Sequence, residues 1–220
     1  LEIYRSEQEQ VDAIKQWWEK NGKFVIIVGV LAISATVGGR VWKEYQSNEM
    51  GKASSEFELV LKGVESGKTD DALPRAGRVV EQFSDTAYAP MAALAQARME
   101  TDKGDISSAK LRLNWVIEHA NIDEIKQVAR LRLGRLLYAE GKLDEALTAT
   151  DPSDVGVFRP AFEALRGDIY TAKGQTVQAR NAYQAATKSE DLGGQSKSLI
   201  EMKLDDLGGQ EAAAAMGTKP

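Results

Sequence analysis

Cysteine is absent from this chain of 220 residues, histidine occurs once and proline five times. Without Cys there is no disulfide, no thiol nucleophile, no Cys-based zinc site and no lipid-modified N-terminal Cys. The lone His119 follows the apolar run LRLNWVIE near an expected helix end. There a cation meets the helix dipole favourably, and the residue reads as structural. No P-loop, dinucleotide-binding glycine pattern or His-containing metal motif occurs. The acidic neighbours Asp144-Glu145, Glu190-Asp191 and Asp205-Asp206 are adjacent in sequence, so on a helix they point in different directions and form no dyad. The expectation is a protein without catalytic residues, cofactor or metal. Excess positive charge is also missing: the formal net charge is −5, and the acidic excess lies in residues 44–220. Phosphate binding needs clustered Lys and Arg, so a nucleic-acid partner is not expected. Sparse proline, with plentiful Ala, Leu, Glu and Lys, favours helix, because straight-chain residues lose little rotamer freedom there.

What the chain does have, close to its start, is one run without charge, FVIIVGVLAISATVGG from Phe24 to Gly39. At a rise of ~1.5 Å per residue it covers only ~24 Å of a ~30 Å hydrocarbon core. Adding Arg40, Val41 and Trp42 brings the segment to ~28 Å, with Arg40 snorkelling to the headgroups. Trp17, Trp18 and Trp42 flank the run, where indoles favour the interface. A buried core helix would carry a polar face, and so would an interfacial one. A cleaved signal peptide, with Ile33 and Ala35 before its cleavage point, is the stronger rival. Its basic n-region is missing: the 23 preceding residues are long and mildly acidic. The run is read as a membrane span. Before it, Ser6 and Glu9 have capping-box spacing, and Val11, Ile14 and Trp18 form an apolar stripe beside Ala13 and Trp17. That stripe suits a membrane surface or partner, and equally a helical extension that positions the span. Lys15, Lys20 and Lys23 before the run balance Arg40, Lys43 and Lys52 after it, so charge does not orient it. Leu1 stands where Met is expected; an alternative start and a missing residue fit equally.

Beyond the run, Gly67, Gly104, Gly141 and Gly174 recur at intervals of 37, 37 and 33 residues. Five residues after each comes an alanine: Ala72, Ala109, Ala146 and Ala179. A Gly that closes a helix can take the left-handed conformation, and a small Ala lets the returning helix approach. Paired helices with a period near 34 are the mark of tetratricopeptide-type repeats. The fourth unit matches best, through Gly167, Tyr170, Gly174, Ala179, Tyr183 and Ala186. The third keeps Leu133, Gly134, Gly141 and Ala146; the second keeps Ala97, Gly104, Ala109 and Leu113; the first keeps Leu59, Gly67 and Ala72. Asp151 to Pro160, with two prolines, is expected to be a loop. After Gly193-Gly194, Ser196 to Leu207 reads as a closing helix with Leu199, Met202 and Leu207 apolar.

The expected fold class is therefore all-α: a single N-terminal transmembrane helix followed by a tetratricopeptide-like α-solenoid. The boundaries are an amphipathic tail at 1–23, a span at 24–42, the repeat domain with its capping helix at 43–207, and a mobile tail at 208–220. The first helices of such units line an inner face able to cradle a partner. Arg98, Arg135 and Asp168 share one position on that face, with Tyr138 near, and are the candidate partner-binding residues. A salt-bridged helix surface is the plainer alternative for them. Trp17, Trp18, Arg40 and Trp42 are the candidate membrane-interface residues.

The opening block EIYRSEQEQVDAIKQWWEKNGK, the span directly after it, the repeats and the closing EMKLDDL helix together resemble the ancillary SecYEG translocon subunits. These are bitopic bacterial inner-membrane proteins. The resemblance implies a cytoplasmic N-terminus and periplasmic repeats. It implies as partners the SecYEG translocon, a membrane-anchored, prolyl-isomerase-like periplasmic chaperone and translocating client proteins, besides the lipid bilayer. The implied role is a non-catalytic scaffold that aids handover of translocated proteins, and no catalytic residue is carried across. A regulatory protein that sequesters a stress-response signalling partner is the alternative. An envelope enzyme or outer-membrane assembly factor fits poorly without a reactive constellation or lipobox Cys.

Overall fold

The computed structural model describes residues 7–188 and 194–215. Ser6 of the capping-box pair, the Glu190-Asp191 neighbours, Gly193 and the final residues 216–220 lie outside the described residues. The described residues are helical, with no strand. By compactness the chain divides into Leu1–Lys52 and Ala53–Pro220.

The first unit is the leading part of helix α1 (Glu7–Glu65). Its apolar run touches nothing: Phe24 is 70% exposed, Leu31 64% and Ile33 65%. A soluble core helix would bury one face, and none of this apolar stretch is buried. α1 carries one stretch long and apolar enough to cross a membrane. With every backbone N–H and C=O turned inward, a helix is the form in which such a run can enter hydrocarbon. Its polar atoms follow the same rule, since Thr36 Oγ1 donates to the Ile33 carbonyl at 2.8 Å.

The second unit packs the end of α1, from Ala53, with α2 (Thr69–Gln82), and then α3 (Tyr88–Asp102) with α4 (Ile106–His119). α5 (Asp123–Ala139) follows with α6 (Leu143–Ala149), and α7 (Arg159–Ala172) with α8 (Thr176–Thr187). α9 (Gly194–Ala215) packs on α8. At each within-pair turn the Gly has positive φ: 71° at Gly67, 81° at Gly104, 74° at Gly141 and 69° at Gly174. A side chain in that region costs roughly 1–2 kcal/mol, which is why the beat is glycine. The next residue's N–H donates five residues back: Lys68 to Gly63 at 2.8 Å, and Asp105, Lys142 and Gln175 to Glu100, Leu137 and Tyr170 at 2.9 Å. These are Schellman closures, satisfying carbonyls the ending helix would leave open. The same four residues then serve as N-caps. Ala72, Ala109, Ala146 and Ala179 donate to their carbonyls, closing the first turn of each returning helix. Each of these alanines is buried, at 2% exposure or less.

Close approach then sets the crossings. A Cβ at Gly167 would lie 2.4 Å from the Tyr183 ring, and one at Gly134 would lie 2.4 Å from Thr150 Cγ2. Three clusters stack along the unit. The first sits at Val60, Ala76, Val79 and Met99; the central one holds Leu113, Val116, Phe162 and Ile169; the last holds Tyr183, Ile200 and Leu207. Fully burying a side chain such as Phe162 contributes roughly 2–3 kcal/mol.

Two expectations need correction. Asp151 to Pro160 is not wholly a loop: Gly156–Phe158 forms a 3-10 turn and Pro160 sits in the first turn of α7. Proline lacks an N–H that the first turn does not use, so it starts the helix. The closing helix buries Ile200 and Leu207, with Leu204 beside them, whereas Leu199 and Met202 are about half exposed. The observed seam follows the i, i+4, i+7 helical spacing, and the helix runs past Leu207 to Ala215.

Candidate functional site

The first helices of successive pairs present one repeated position six residues before the turn glycine: Arg98 on α3, Arg135 on α5 and Asp168 on α7. The structure brings two of these together. Arg98 and Arg135 border a cleft of about 370 Å³ between α3 and α5, floored by Ala97, Leu113 and Leu136. Arg132, one turn before Arg135, is the third arginine of this cleft. It was not among the candidates, although i, i+3 spacing from Arg135 places it on the same helix face. Arg132 is half-buried, and its Nη1 donates to the Leu94 carbonyl at 3.2 Å. Burial, and then the like charges of Arg98 and Arg135, lower its pKa from the usual guanidinium range. Asp102 also lines the cleft, 3.9 Å from Arg98 Nε, with both side chains 68% exposed. An open pair at that distance is weak. Among the described residues no carboxylate pairs with Arg132 or Arg135.

Asp168 is placed elsewhere and is already engaged. Tyr183 Oη donates to its Oδ1 at 2.6 Å, and Lys203 Nζ donates at 2.5 Å, so one carboxylate ties α7, α8 and α9. Burial and the bond to Asp168 raise the Tyr183 pKa above the phenol range, so the hydroxyl stays a donor. Tyr138 lies half-buried against the central cluster and does not line the arginine cleft. His119 is exposed at the end of α4, its ring stacked on Trp115 with centroids 4.7 Å apart and Nδ1 2.9 Å from the Trp115 carbonyl. Those contacts satisfy it locally. Among the described residues no group of three or more His, Cys, Asp or Glu side chains can hold a metal ion.

The interface candidates stand on the first unit. Trp17, Trp18 and Trp42 are 54%, 50% and 64% exposed, and Arg40 is exposed too. Trp18 lies over Gly22, where a Cβ would meet the indole at 3.1 Å. The glycine thus lets the ring fold along the helix axis.

Contacts between neighbouring helix pairs of the repeat domain supply features that single-residue patterns do not show. Lys103 donates to Asp70 at 2.5 Å, and Lys173 pairs with Asp144. In each case the residue before one turn glycine meets the residue three after the preceding one. At the middle junction Lys110 reaches Glu140 at 2.5 Å. These exposed pairs set register between neighbours more than they add stability. The short α6 is closed by α7: Arg166 Nη1 donates to the Leu147 carbonyl at 3.0 Å and the Thr150 carbonyl at 3.4 Å. A cation at a helix C-terminus also meets the dipole favourably. On α3 two buried acceptors, Gln96 Oε1 and Glu100 Oε2, have no donor among the described residues. Burial raises the Glu100 pKa against the opposing pull of Arg112, whose Nε lies 3.4 Å from its Oε1.

With the geometry in place, the chain can be set beside known proteins. Residues 15–209 match the tetratricopeptide repeat-like domain family. An ancillary SecYEG translocon subunit of Haemophilus influenzae is 31% identical, the match covering 91% of this chain and 97% of the relative. Proteins with that same name from Escherichia coli K12 and Neisseria gonorrhoeae are 28% and 25% identical, each match covering 94% of this chain and nearly all of the relative. Among solved structures, a Podosopora anserina protein with nearly identical TPR-like repeats superposes with a TM-score of 0.54 at 18% identity. That match covers 75% of this chain and 90% of the other, and at such identity it speaks for the fold alone.

Proposed function

The chain belongs to the tetratricopeptide repeat-like family and, within it, to the ancillary SecYEG translocon subunits, and from that premise we propose that it is a non-catalytic, membrane-anchored scaffold at the translocon. The apolar run of α1 anchors it in the bacterial inner membrane as a single-pass protein. Trp17, Trp18, Arg40 and Trp42 sit at the two membrane surfaces, and the segments divide as 1–23, 24–42, 43–207 and 208–220. The N-terminus is cytoplasmic and the repeat domain periplasmic. There the inner face of the repeats holds a membrane-anchored, prolyl-isomerase-like chaperone or an emerging client and aids handover of translocated proteins. On this face Arg98 and Arg135 act as partner anchors. Asp168 and Tyr138 support it from within the stack.

The observation that carries the reading is the pairing, in one chain, of a fully exposed apolar helix segment with a stack of helix pairs. An apolar surface of that size is stable only in lipid or against another apolar protein surface. A helix-pair stack binds by shape and side-chain chemistry and needs no reactive group.

The test is crosslinking in living cells, solubilisation in detergent and capture through a C-terminal tag. SecY, SecE or SecG should co-purify with the full chain and be lost when residues 24–42 are replaced by an unrelated apolar span. Absence of all translocon subunits from the captured material would overturn the proposal. External protease applied to spheroplasts should remove residues 44–220; full protection of that segment would reverse the orientation.

A further inference from the structure

We propose that the hollow between the second helices α4 and α6 docks an extended partner segment that carries a large apolar residue beside a lysine or arginine. This surface uses a different face of α5 from Arg132 and Arg135, so it goes beyond the inner-face reading and is tested apart from it.

The positions eight and four residues before a turn glycine explain why the hollow lies at this junction. On α3 they hold Gln96 and Glu100, and Glu100 meets Arg112 of α4 at 3.4 Å. On α7 they hold Arg166 and Tyr170, and Arg166 reaches the carbonyls of Leu147 and Thr150 at the end of α6. Polar side chains thus bridge to a second helix at both places. On α5 the same positions hold Leu133 and Leu137, which have no polar group to extend and instead floor a hollow of about 690 Å³. Leu111 stands on its rim at 68% exposure, more open than any other leucine among the described residues. A lone exposed leucine is ordinary; one that borders an apolar floor joins a single patch, and covering that patch is favourable.

The rim determines the occupant. Lys110 and Glu145 are the charged residues that line the hollow. Lys110 is tied to Glu140 at 2.5 Å, its side chain 19% exposed. Glu145 is exposed and forms no ion pair among the described residues. The open charge of the rim is therefore negative, and a cation on the incoming segment complements it. Ser107, Asn114 and Thr148 are exposed on the two walls and offer hydrogen bonds to an extended backbone. A second copy of this chain would bring the same acid-bearing rim, so a two-fold contact sets like charges against each other. Anionic lipid headgroups meet the same repulsion. The volume suits a few side chains and not a folded surface.

The experiment places the full chain in phosphatidylcholine nanodiscs and follows three fluorescein-labelled peptides amidated at the C-terminus. The first is Ser-Lys-Leu-Leu-Lys-Ser; the second has both leucines replaced by alanine, and the third has both lysines replaced by glutamate. Fluorescence anisotropy, corrected for empty nanodiscs, should show the first binding at least about tenfold more tightly than either of the others. Leu111→Lys should abolish this binding. Glu145→Gln should remove most of the advantage of lysine over glutamate and leave the advantage of leucine over alanine. Both positions are exposed, and unchanged circular dichroism and melting temperature would show that the fold is kept. Arg98→Gln, which lies at the other cleft, should change nothing. Equal binding of the three peptides, equal uptake by empty nanodiscs, or binding untouched by Leu111→Lys overturns the proposal. Loss of binding in Arg98→Gln overturns it as well, because the peptide would then sit on the inner face. So does a shift from two copies to one on Leu111→Lys in sedimentation of the full chain, because the hollow would belong to a second copy. Translocon capture is scored separately. Its loss with peptide binding intact removes the scaffold's proposed partner and keeps this surface; its presence without peptide discrimination sinks this inference and leaves the scaffold standing.

Discussion

Glycine means different things in the two units of this chain. In the apolar stretch of α1, a Cβ added at Gly29, Gly38 or Gly39 would meet nothing within 4 Å. In the repeats, one added at Gly63, Gly134 or Gly167 would come within 2.8 Å or less of a neighbouring side chain. The first unit carries small residues that no side chain of the described residues approaches. The second uses them to bring its own helices together. Composition alone does not separate these uses; the residues opposite do.

Substitutions can break that contrast. The largest effect is expected from Gly167→Ala, which drives a methyl into the buried Tyr183 ring and should cost the repeat domain about 3 kcal/mol in thermal or urea unfolding. Gly38→Ala, as its counterpart, should leave that transition where it is. Next comes Val30→Arg, which puts a charge in the middle of the exposed apolar run and should cost about 3 kcal/mol of insertion. Loss of the chain from carbonate-washed membranes would show it, while repeat-domain unfolding stays unchanged. Tyr183→Phe removes one of two donors to Asp168 and should lower stability by about 1.5 kcal/mol. A neutral result there would mean that the bond from Lys203 is enough to satisfy Asp168.

The smallest effect depends on pH. Glu100 has a pKa raised in the folded state by burial, so folding favours its protonated form. Its drag on stability is absent below the ordinary carboxylate pKa and grows as pH rises from there to the raised folded value. Glu100→Gln should therefore raise the melting temperature slightly at neutral pH and change little near pH 4. A larger gain at pH 4 than at pH 7 would contradict this account of the buried carboxyl.

The pattern of turns was legible in the sequence because its cause is local. A Gly in the left-handed region and an Ala five residues on are both fixed by the backbone geometry of a single turn. So were the helices and their pairing. What escaped was set by partners far along the chain. Asp168 shares a repeat position with Arg98 and Arg135, yet its role comes from Lys203, 35 residues later, and from Tyr183 on the next helix. Arg132 gains its place from the α3 backbone carbonyl of Leu94, 38 residues earlier. The seam of α9 depended on which of several apolar residues joined the cluster of Tyr183 and Ala186: Ile200 and Leu207 are buried there, while Leu199 and Met202 are about half exposed. The ion pairs between turns had a visible signal, since Lys103 and Lys173 both precede a turn glycine and Asp70 and Asp144 both lie three residues after the preceding one.

Site-specific photo-crosslinking in growing cells bears most directly on the division of labour between the two units. A photoreactive residue at Leu31, in the exposed apolar run, should capture translocon subunits; one at Arg98, on the inner face of the repeats, should capture a different, periplasmic protein. If Leu31 captured only detergent-sized products or copies of the chain, and Arg98 captured nothing, an anchored scaffold at the translocon would be contradicted.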